Sequence, residues 1–382
     1  MTNRFLLAAV ATALASLPAC AQTTDTGVQI HGFATQSFLR SSSNNYLGMD
    51  TSAGATSWTE AAVNLNDQVN DKLRVGVQFH YTRFGRFGGD SVAVDWALGD
   101  YKFNEWFGVR AGKVKIPWGL FNDTQDYDPG YIWSLLPEGI YGLDTRSTNL
   151  SQLGAEVYGK VELGPRLGSL KYDAYYGDYF YASDDGYAAS FVQQGLIFPS
   201  PAGGKTPGFD IRWQTPVTGL MLGGSLMMYD ARGNLTNGTY YQPLAFWPTY
   251  YGQYKFKKLF VSAQYARLVQ YQTATTSTAP PDTTLLDWRS WFAMAGYHLT
   301  SKLQVGAYYN AYTLASAHDD SDPTNYFYDR VVSTRYDINP NFYMKLEGHF
   351  IDGNGVGFYA LDNPDGLKPG TNLLVAKVGF TF

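Results

Sequence analysis

The sequence predicts an all-β protein: a transmembrane, antiparallel, up-and-down β-barrel of sixteen strands. Three observations carry this prediction. Apolar and polar residues alternate with period two along most of the chain, short connections alternate with long ones, and the chain ends on an apolar, aromatic-tipped strand. Composition agrees. Charged residues are only 16% of the 382 positions, well under the roughly 25% of an average soluble domain. Thirty tyrosines and an aromatic content of 16% argue against disorder, which needs charge and few aromatics. A single cysteine excludes a disulfide framework or a Cys-rich metal site. The net charge of −5 provides no basic surface for nucleic acid. No cofactor, metal or nucleic-acid partner is expected.

The N-terminus reads as a targeting segment. Arg4 is followed by the apolar run Phe5–Leu17, and Ala19-Cys20-Ala21 offers small residues for cleavage after Ala21. This pattern is a secretory signal, too short for a membrane span. The domain reading is therefore a signal peptide over 1–21 and a barrel over 22–382. Leu17-Pro18-Ala19-Cys20 also forms a degenerate lipobox, which leaves lipidation of Cys20 open as an alternative to simple removal.

Sixteen alternating segments follow, at 27–40, 57–66, 73–84, 91–102, 107–117, 151–163, 168–181, 207–216, 219–231, 246–256, 258–271, 287–299, 302–314, 325–337, 341–352 and 372–382. In the third, Leu73, Val75, Val77, Phe79 and Tyr81 oppose Arg74, Gly76, Gln78 and His80. In the sixth, Leu153, Ala155, Val157 and Val161 oppose Gln152, Glu156, Lys160 and Glu162. In the fifteenth, Phe342, Met344, Leu346 and Phe350 oppose Lys345, Glu347 and His349. Successive strand side chains point to opposite faces, so each segment has one greasy and one polar side. No later window of about 18 apolar residues exists, which excludes membrane-spanning helices.

Connections after even-numbered segments are tight, such as 103–106, 217–218 and 300–301. Most after odd-numbered ones are longer: 41–56, 118–150, 182–206, 232–245, 272–286, 315–324 and 353–371. Membrane barrels pair short turns at one rim with long loops at the other. Alternation alone fits a soluble barrel equally well. Glycines and charges of both signs on the polar face favour a wet interior, because sixteen strands enclose a lumen too wide for side chains to fill. Aromatic clusters near segment ends, such as Tyr175-Tyr176, Tyr179-Phe180-Tyr181 and Tyr326-Phe327-Tyr328, suit headgroup girdles.

The last segment carries Leu374, Ala376, Val378, Phe380 and Phe382 on one face, with Lys377 and Thr381 on the other. It resembles the C-terminal signature read by the barrel-assembly machinery, with Phe382 as its terminal signal. At this point the chain resembles the porin superfamily of Gram-negative outer membranes. Val109–Asn122, with Arg110, Gly112, Lys113, Lys115, Pro117, Trp118 and Gly119, is similar to a stretch of phosphate-selective-porin-like sequences. The resemblance implies an outer-membrane location among lipid and lipopolysaccharide, a homotrimer, and passive diffusion of small polar solutes and ions. It also implies that the long loop after the fifth strand folds into the barrel as a constriction.

That loop carries Asp123, Asp126, Asp128, Glu138, Asp144 and Arg146, with Tyr127, Tyr131, Trp133 and Tyr141. A loop longer than about 12–15 residues is functional or disordered, and the aromatics favour the former; an outer lid packed on its neighbours is the competing reading. Arg110, Lys113 and Lys115 are the first candidates for a basic pore wall facing it. Strict alternation puts Arg110 opposite both lysines, so a bulge at Ala111-Gly112 is expected to bring all three into the lumen; a cation facing mid-bilayer lipid costs about 2–4 kcal/mol. Basic charge there tilts the expectation toward anions. Further lumen candidates are Glu60, Arg74, Glu156, Lys160, Arg212, Arg335, Lys345, Glu347 and Lys377. None of the five histidines forms a metal-site pattern and no G-x-S-x-G elbow is present, so an enzyme is not expected. A structural or adhesive barrel closed by its loops remains the alternative, with a hydrolytic barrel behind it.

Overall fold

The computed structural model describes residues 27–183, 185–277 and 280–382. The expected signal segment, with Cys20, lies outside the described residues. The strands are β1 (Gln29–Ser41), β2 (Ala55–Gln68), β3 (Leu73–Phe84), β4 (Phe87–Asn104), β5 (Phe107–Lys115), β6 (Ser151–Glu162), β7 (Ser169–Phe180) and β8 (Gly203–Gln214). They continue with β9 (Leu220–Leu235), β10 (Gly238–Phe256), β11 (Leu259–Thr276), β12 (Asp282–His298), β13 (Leu303–Leu314), β14 (Tyr326–Asp337), β15 (Phe342–Asp352) and β16 (Gly370–Thr381). Each pairs antiparallel with its sequence neighbours, and β1 pairs with β16 to close the barrel. Gly32 and Phe382 exchange backbone hydrogen bonds of 3.1 and 3.0 Å at that seam. Closure leaves no sheet edge, the condition for crossing hydrocarbon with strands.

Side-chain exposure orients the two faces. In β15, Leu346 is 54% exposed and Phe342, Met344 and Phe350 are similarly bare, whereas Lys345 and Glu347 are 2% and 1% exposed. Leu153 and Val157 of β6 face outward while Glu156 is buried. This inverts the arrangement of a soluble barrel and gives an oily outside.

The turns after even-numbered strands are short throughout, such as 105–106 and 257–258. Two expected long loops are not loops. β9 runs to Leu235 and β10 starts at Gly238, so 232–245 is a hairpin closed by Thr236-Asn237. Its Gly, Asn and Thr content marks a tight turn and not a long connection. Residues 282–286 likewise belong to β12. Long connections remain at 42–54, 116–150, 181–202, 315–325 and 353–369. Among the described residues, two short α-helices sit within them: α1 (Arg146–Asn149) and α2 (Gly186–Gln193).

The lumen is not uniformly wet. Trp118, Phe121, Ile132, Trp133 and Tyr141 of the 116–150 segment pack on Tyr175, Tyr229, Trp247, Phe292 and Tyr308 of the wall. A second apolar cluster joins Tyr46 and Leu47 of the 42–54 loop to Phe358, Tyr359, Trp58, Phe327, Leu373 and Val375. The signal is visible in β16, where Leu373-Leu374-Val375-Ala376 is apolar on both faces. The aromatic pairs split the same way: Tyr176 and Phe180 face outward, while Tyr175, Tyr179 and Tyr181 turn in. The lumen glycines do not leave space for water alone. A Cβ on Gly306 would lie 2.5 Å from the Trp133 ring, and one on Gly296 would lie 2.7 Å from Ile132. Gly306 seats the segment that crosses above it, while Gly296 makes room first for the Phe260 ring of the wall.

Candidate functional site

Residues 116–150 leave β5 at Ile116-Pro117, whose proline cannot extend the ladder, and return at Leu150, which accepts from the Ile116 amide at 2.9 Å. Irregular backbone must find partners for its own polar groups, and here the barrel wall provides them. The amides of Ser134 and Leu135 donate to Glu347 at 3.0 and 2.9 Å. Gly139 donates to Asn310 at 2.8 Å, Leu120 to Gln264 at 3.0 Å and Gly119 to Ser225 at 2.9 Å. Lys345 donates to the carbonyls of Asp128 and Trp133 at 2.9 and 2.8 Å. Arg335 donates to the carbonyls of Tyr131, at 3.0 Å, and Pro129. These partners lie on β9, β11, β13, β14 and β15, so the segment is tied across the barrel.

Its acidic residues fall into two groups. Asp128 is clamped by Lys377 at 2.7 Å, Lys345 at 2.9 Å and the Tyr343 hydroxyl at 2.6 Å. Burial pushes its carboxyl up, but the two ammonium groups outweigh this and hold it well below the usual carboxylate range. Asp126 takes Lys115 at 2.7 Å and Gln78 at 2.8 Å. Arg146 reaches Asp95 at 2.5 Å. Glu138 and Asp144 belong to the other group. Burial, and then each other's charge in the case of Glu138, pushes these carboxyls above the ordinary range. Glu138 accepts from the Leu143 amide at 3.0 Å, and Asp144 accepts from the Tyr359 hydroxyl at 2.5 Å.

Strand five departs from the expected basic wall. Its pairing with β6 is unbroken from Gly108 to Lys115, so no inserted residue occurs at Ala111-Gly112, although Gly112 takes a φ of +127°. Arg110 joins a separate cluster, with Glu156 at 2.7 Å and Asp100 at 3.2 Å, which Arg74 also approaches at 3.2 Å. Lys115 sits at the strand end and reaches the crossing segment. Lys113 pairs between Ala97 and outward-facing Leu153 and donates to the Val94 carbonyl at 2.6 Å. The register shift lies instead on β4, where Gln78 pairs with Trp96 and Phe79 with Val94, leaving Asp95 extra. Asp95 and Asp100 have opposite parity in sequence, and the shift lets both turn inward. That phase conflict was legible but unread. Arg212 bridges Asp210 at 2.8 Å and Asp123 at 3.5 Å, and Lys160 pairs with Glu162. His349 meets Asp329 at 2.7 Å and Glu347 at 3.0 Å, and Asp329 was not among the sequence candidates.

No protein-family model matches the chain, and no curated protein sequence does. Solved structures do. OmpF of Salmonella typhi superposes with a TM-score of 0.59 at 14% identity, over 94% of this chain and 99% of that one. An anion-selective porin from Comamonas acidovorans gives 0.56 at 10%, over 93% and 99%. The outer membrane channel DcaP of Acinetobacter baumannii gives 0.56 at 10%, over 95% and 100%. The fold is that of the outer-membrane porins.

Within the barrel the space divides along its axis. Toward the long-loop rim is a cavity of about 170 Å³ lined by Glu138, Asp144, Tyr359 and several aromatics. A central cavity of about 40 Å³ lies between Glu60, Lys377 and the crossing segment, and shares Glu138 with the first. At the short-turn end are two lobes of about 750 and 600 Å³ that share Thr124 and Tyr127. The larger shares Asp126 with the central cavity and is lined by Arg74, Arg110, Lys115, Glu156, Lys160 and Arg212. Arg335 lines the smaller.

Proposed function

We propose that the protein is an outer-membrane diffusion channel for small polar solutes and ions, with residues 116–150 as its constriction. One observation carries the reading: a row of cavities along the axis whose neighbours share the wall residues Glu138 and Asp126, lined by ionisable side chains, inside a barrel whose exterior is apolar. Charged groups in a lumen keep it hydrated and tune which ions pass. The smaller inner lobe is lined by Lys255, Lys257, Lys258, His298 and Arg335 and by no carboxylate, which favours anions at that end. Insertion through the C-terminal strand with Phe382 as its signal, contact with lipopolysaccharide, and homotrimer assembly belong to the same proposal. A second reading, a barrel closed by its own loops, draws on the packed aromatic layer and the small central cavity. Planar-bilayer recording separates them. Stepwise ion current supports the channel; a correctly folded, inserted barrel that stays silent overturns it in favour of the closed scaffold.

A further inference from the structure

The outer cavity is chemically unlike the rest of the lumen. Its wall carries two carboxylates, Glu138 and Asp144, beside Tyr187, Tyr359, Trp247 and Trp288, and no Lys, Arg or His. Elsewhere in the lumen, buried acids are met by cations: Asp128 by two lysines, Asp126 by Lys115 and Asp95 by Arg146. Glu138 is 3% exposed, and its Oε1 has no hydrogen-bond partner. An orphaned buried carboxylate oxygen is destabilising unless it is protonated or finds a donor. Arg86, which bears on Asp144, is already engaged by Asp362 at 2.9 Å and stacked 4.8 Å over Tyr359.

We propose that this cavity is a binding site for an organic cation, a protonated amine carried on an apolar or aromatic body. The geometry supplies what such a ligand recognises. An ammonium group donates to the open Glu138 oxygen and sits near the Asp144 charge. The aromatic faces attract the cation through their quadrupoles and bury its body. A dehydrated metal ion is a poorer fit, because the described residues hold no cluster of three or more metal-ligating side chains. Burial raises both carboxyls, that of Glu138 further through the Asp144 charge, and an ammonium group bound beside them favours their ionised forms, so loading is expected to release protons. The other titratable groups bearing on this pair are Asp329, His349, Asp185, Tyr46, Tyr187, Tyr308, Tyr359 and Arg86. The inference deepens the channel reading by naming a solute class held at the outer mouth, but its test does not depend on conduction.

The full-length folded protein in detergent is titrated with benzylammonium, benzyl alcohol and benzoate, following tryptophan fluorescence from the Trp247 and Trp288 region and proton release with an indicator dye. Benzylammonium is expected to bind about tenfold or more tighter than benzyl alcohol, to release a proton, and to outcompete benzoate. Glu138→Gln, which keeps the side-chain shape, and independently Asp144→Asn should each shrink the preference for the cation and leave benzyl alcohol unchanged. Equal binding of the charged and neutral probes overturns the proposal, as does a preference that survives both substitutions. If either variant does not fold, the wild-type probe series and its proton release decide alone. Binding without channel current leaves the site standing and removes only the channel reading.

Discussion

Replacing Asp128 by Asn tests how the crossing segment is held. The substitution keeps the shape and removes the charge that Lys345 and Lys377 share. Both lysine side chains are fully buried, so Lys345 is left as an uncompensated charge and Lys377 keeps only Glu60, at 3.8 Å. Breaking a buried ion pair by deleting one partner costs about 3–5 kcal/mol. At about 1.4 kcal/mol per tenfold, the equilibrium between docked and released segment moves by roughly two to three and a half orders of magnitude. Release is local to the region around Asp128, because Glu347, Asn310 and Gln264 still hold the flanking backbone. The assay is single-channel recording, with thermal unfolding as the check on folding. Asp128→Asn should give larger and noisier current steps than the wild type. Identical step size and noise in a folded variant would refute the idea that this clamp sets the constriction. The sign of the pH effect follows from the depressed carboxyl. Its stabilisation is present above the unfolded carboxylate value, about 4, and is lost as pH falls through the lower folded value. The wild type should therefore stay narrow from neutral pH down to about 4.

Three further outcomes follow from the same geometry. Lys115→Gln frees Asp126 and should shift the reversal potential in a salt gradient toward cations, while Lys113→Gln, bonded only to the Val94 carbonyl, should leave it unchanged. Asp185 caps α2 through the Tyr187 and Ala188 amides, and burial, against the opposing Thr148 hydroxyl bond, raises its carboxyl to about 7. Its protonated form is favoured in the fold, so its stabilisation is complete below about 4 and fades as pH rises through about 7; hydrogen exchange in α2 should accelerate over that window, and Asp185→Asn should flatten the change. Gly306→Val intrudes on the Trp133 ring and should lower the unfolding temperature and alter conductance, whereas Gly348→Ala, with its nearest contact at 3.7 Å, should do neither.

The barrel was legible because it is written in a local rule. Alternation places Lys345, Glu347 and His349 on one face of β15 whatever surrounds them, and all sixteen strands follow from that rule and from turn spacing. Chain-distant pairing was not legible. Nothing in the sequence says that Asp128 meets lysines from the last two strands, because those contacts depend on how residues 116–150 cross the lumen. The apolar interior was missed for a related reason: Leu373 and Val375 share the Lys377 face of β16, and nothing local says that a loop supplies their apolar partner there. At strand five the phase argument was correct in kind but placed on the wrong strand. Arg110 and Lys115 needed no bulge between them, while the conflict between Asp95 and Asp100 did.

The measurement that bears most directly on the account is the size dependence of uncharged-solute entry into liposomes carrying the purified protein. A barrel narrowed to its central cavity by residues 116–150 predicts swelling rates that fall steeply from glycerol to a monosaccharide and vanish for a trisaccharide. Equal rates across that series, or no entry even of glycerol through inserted protein, would contradict it.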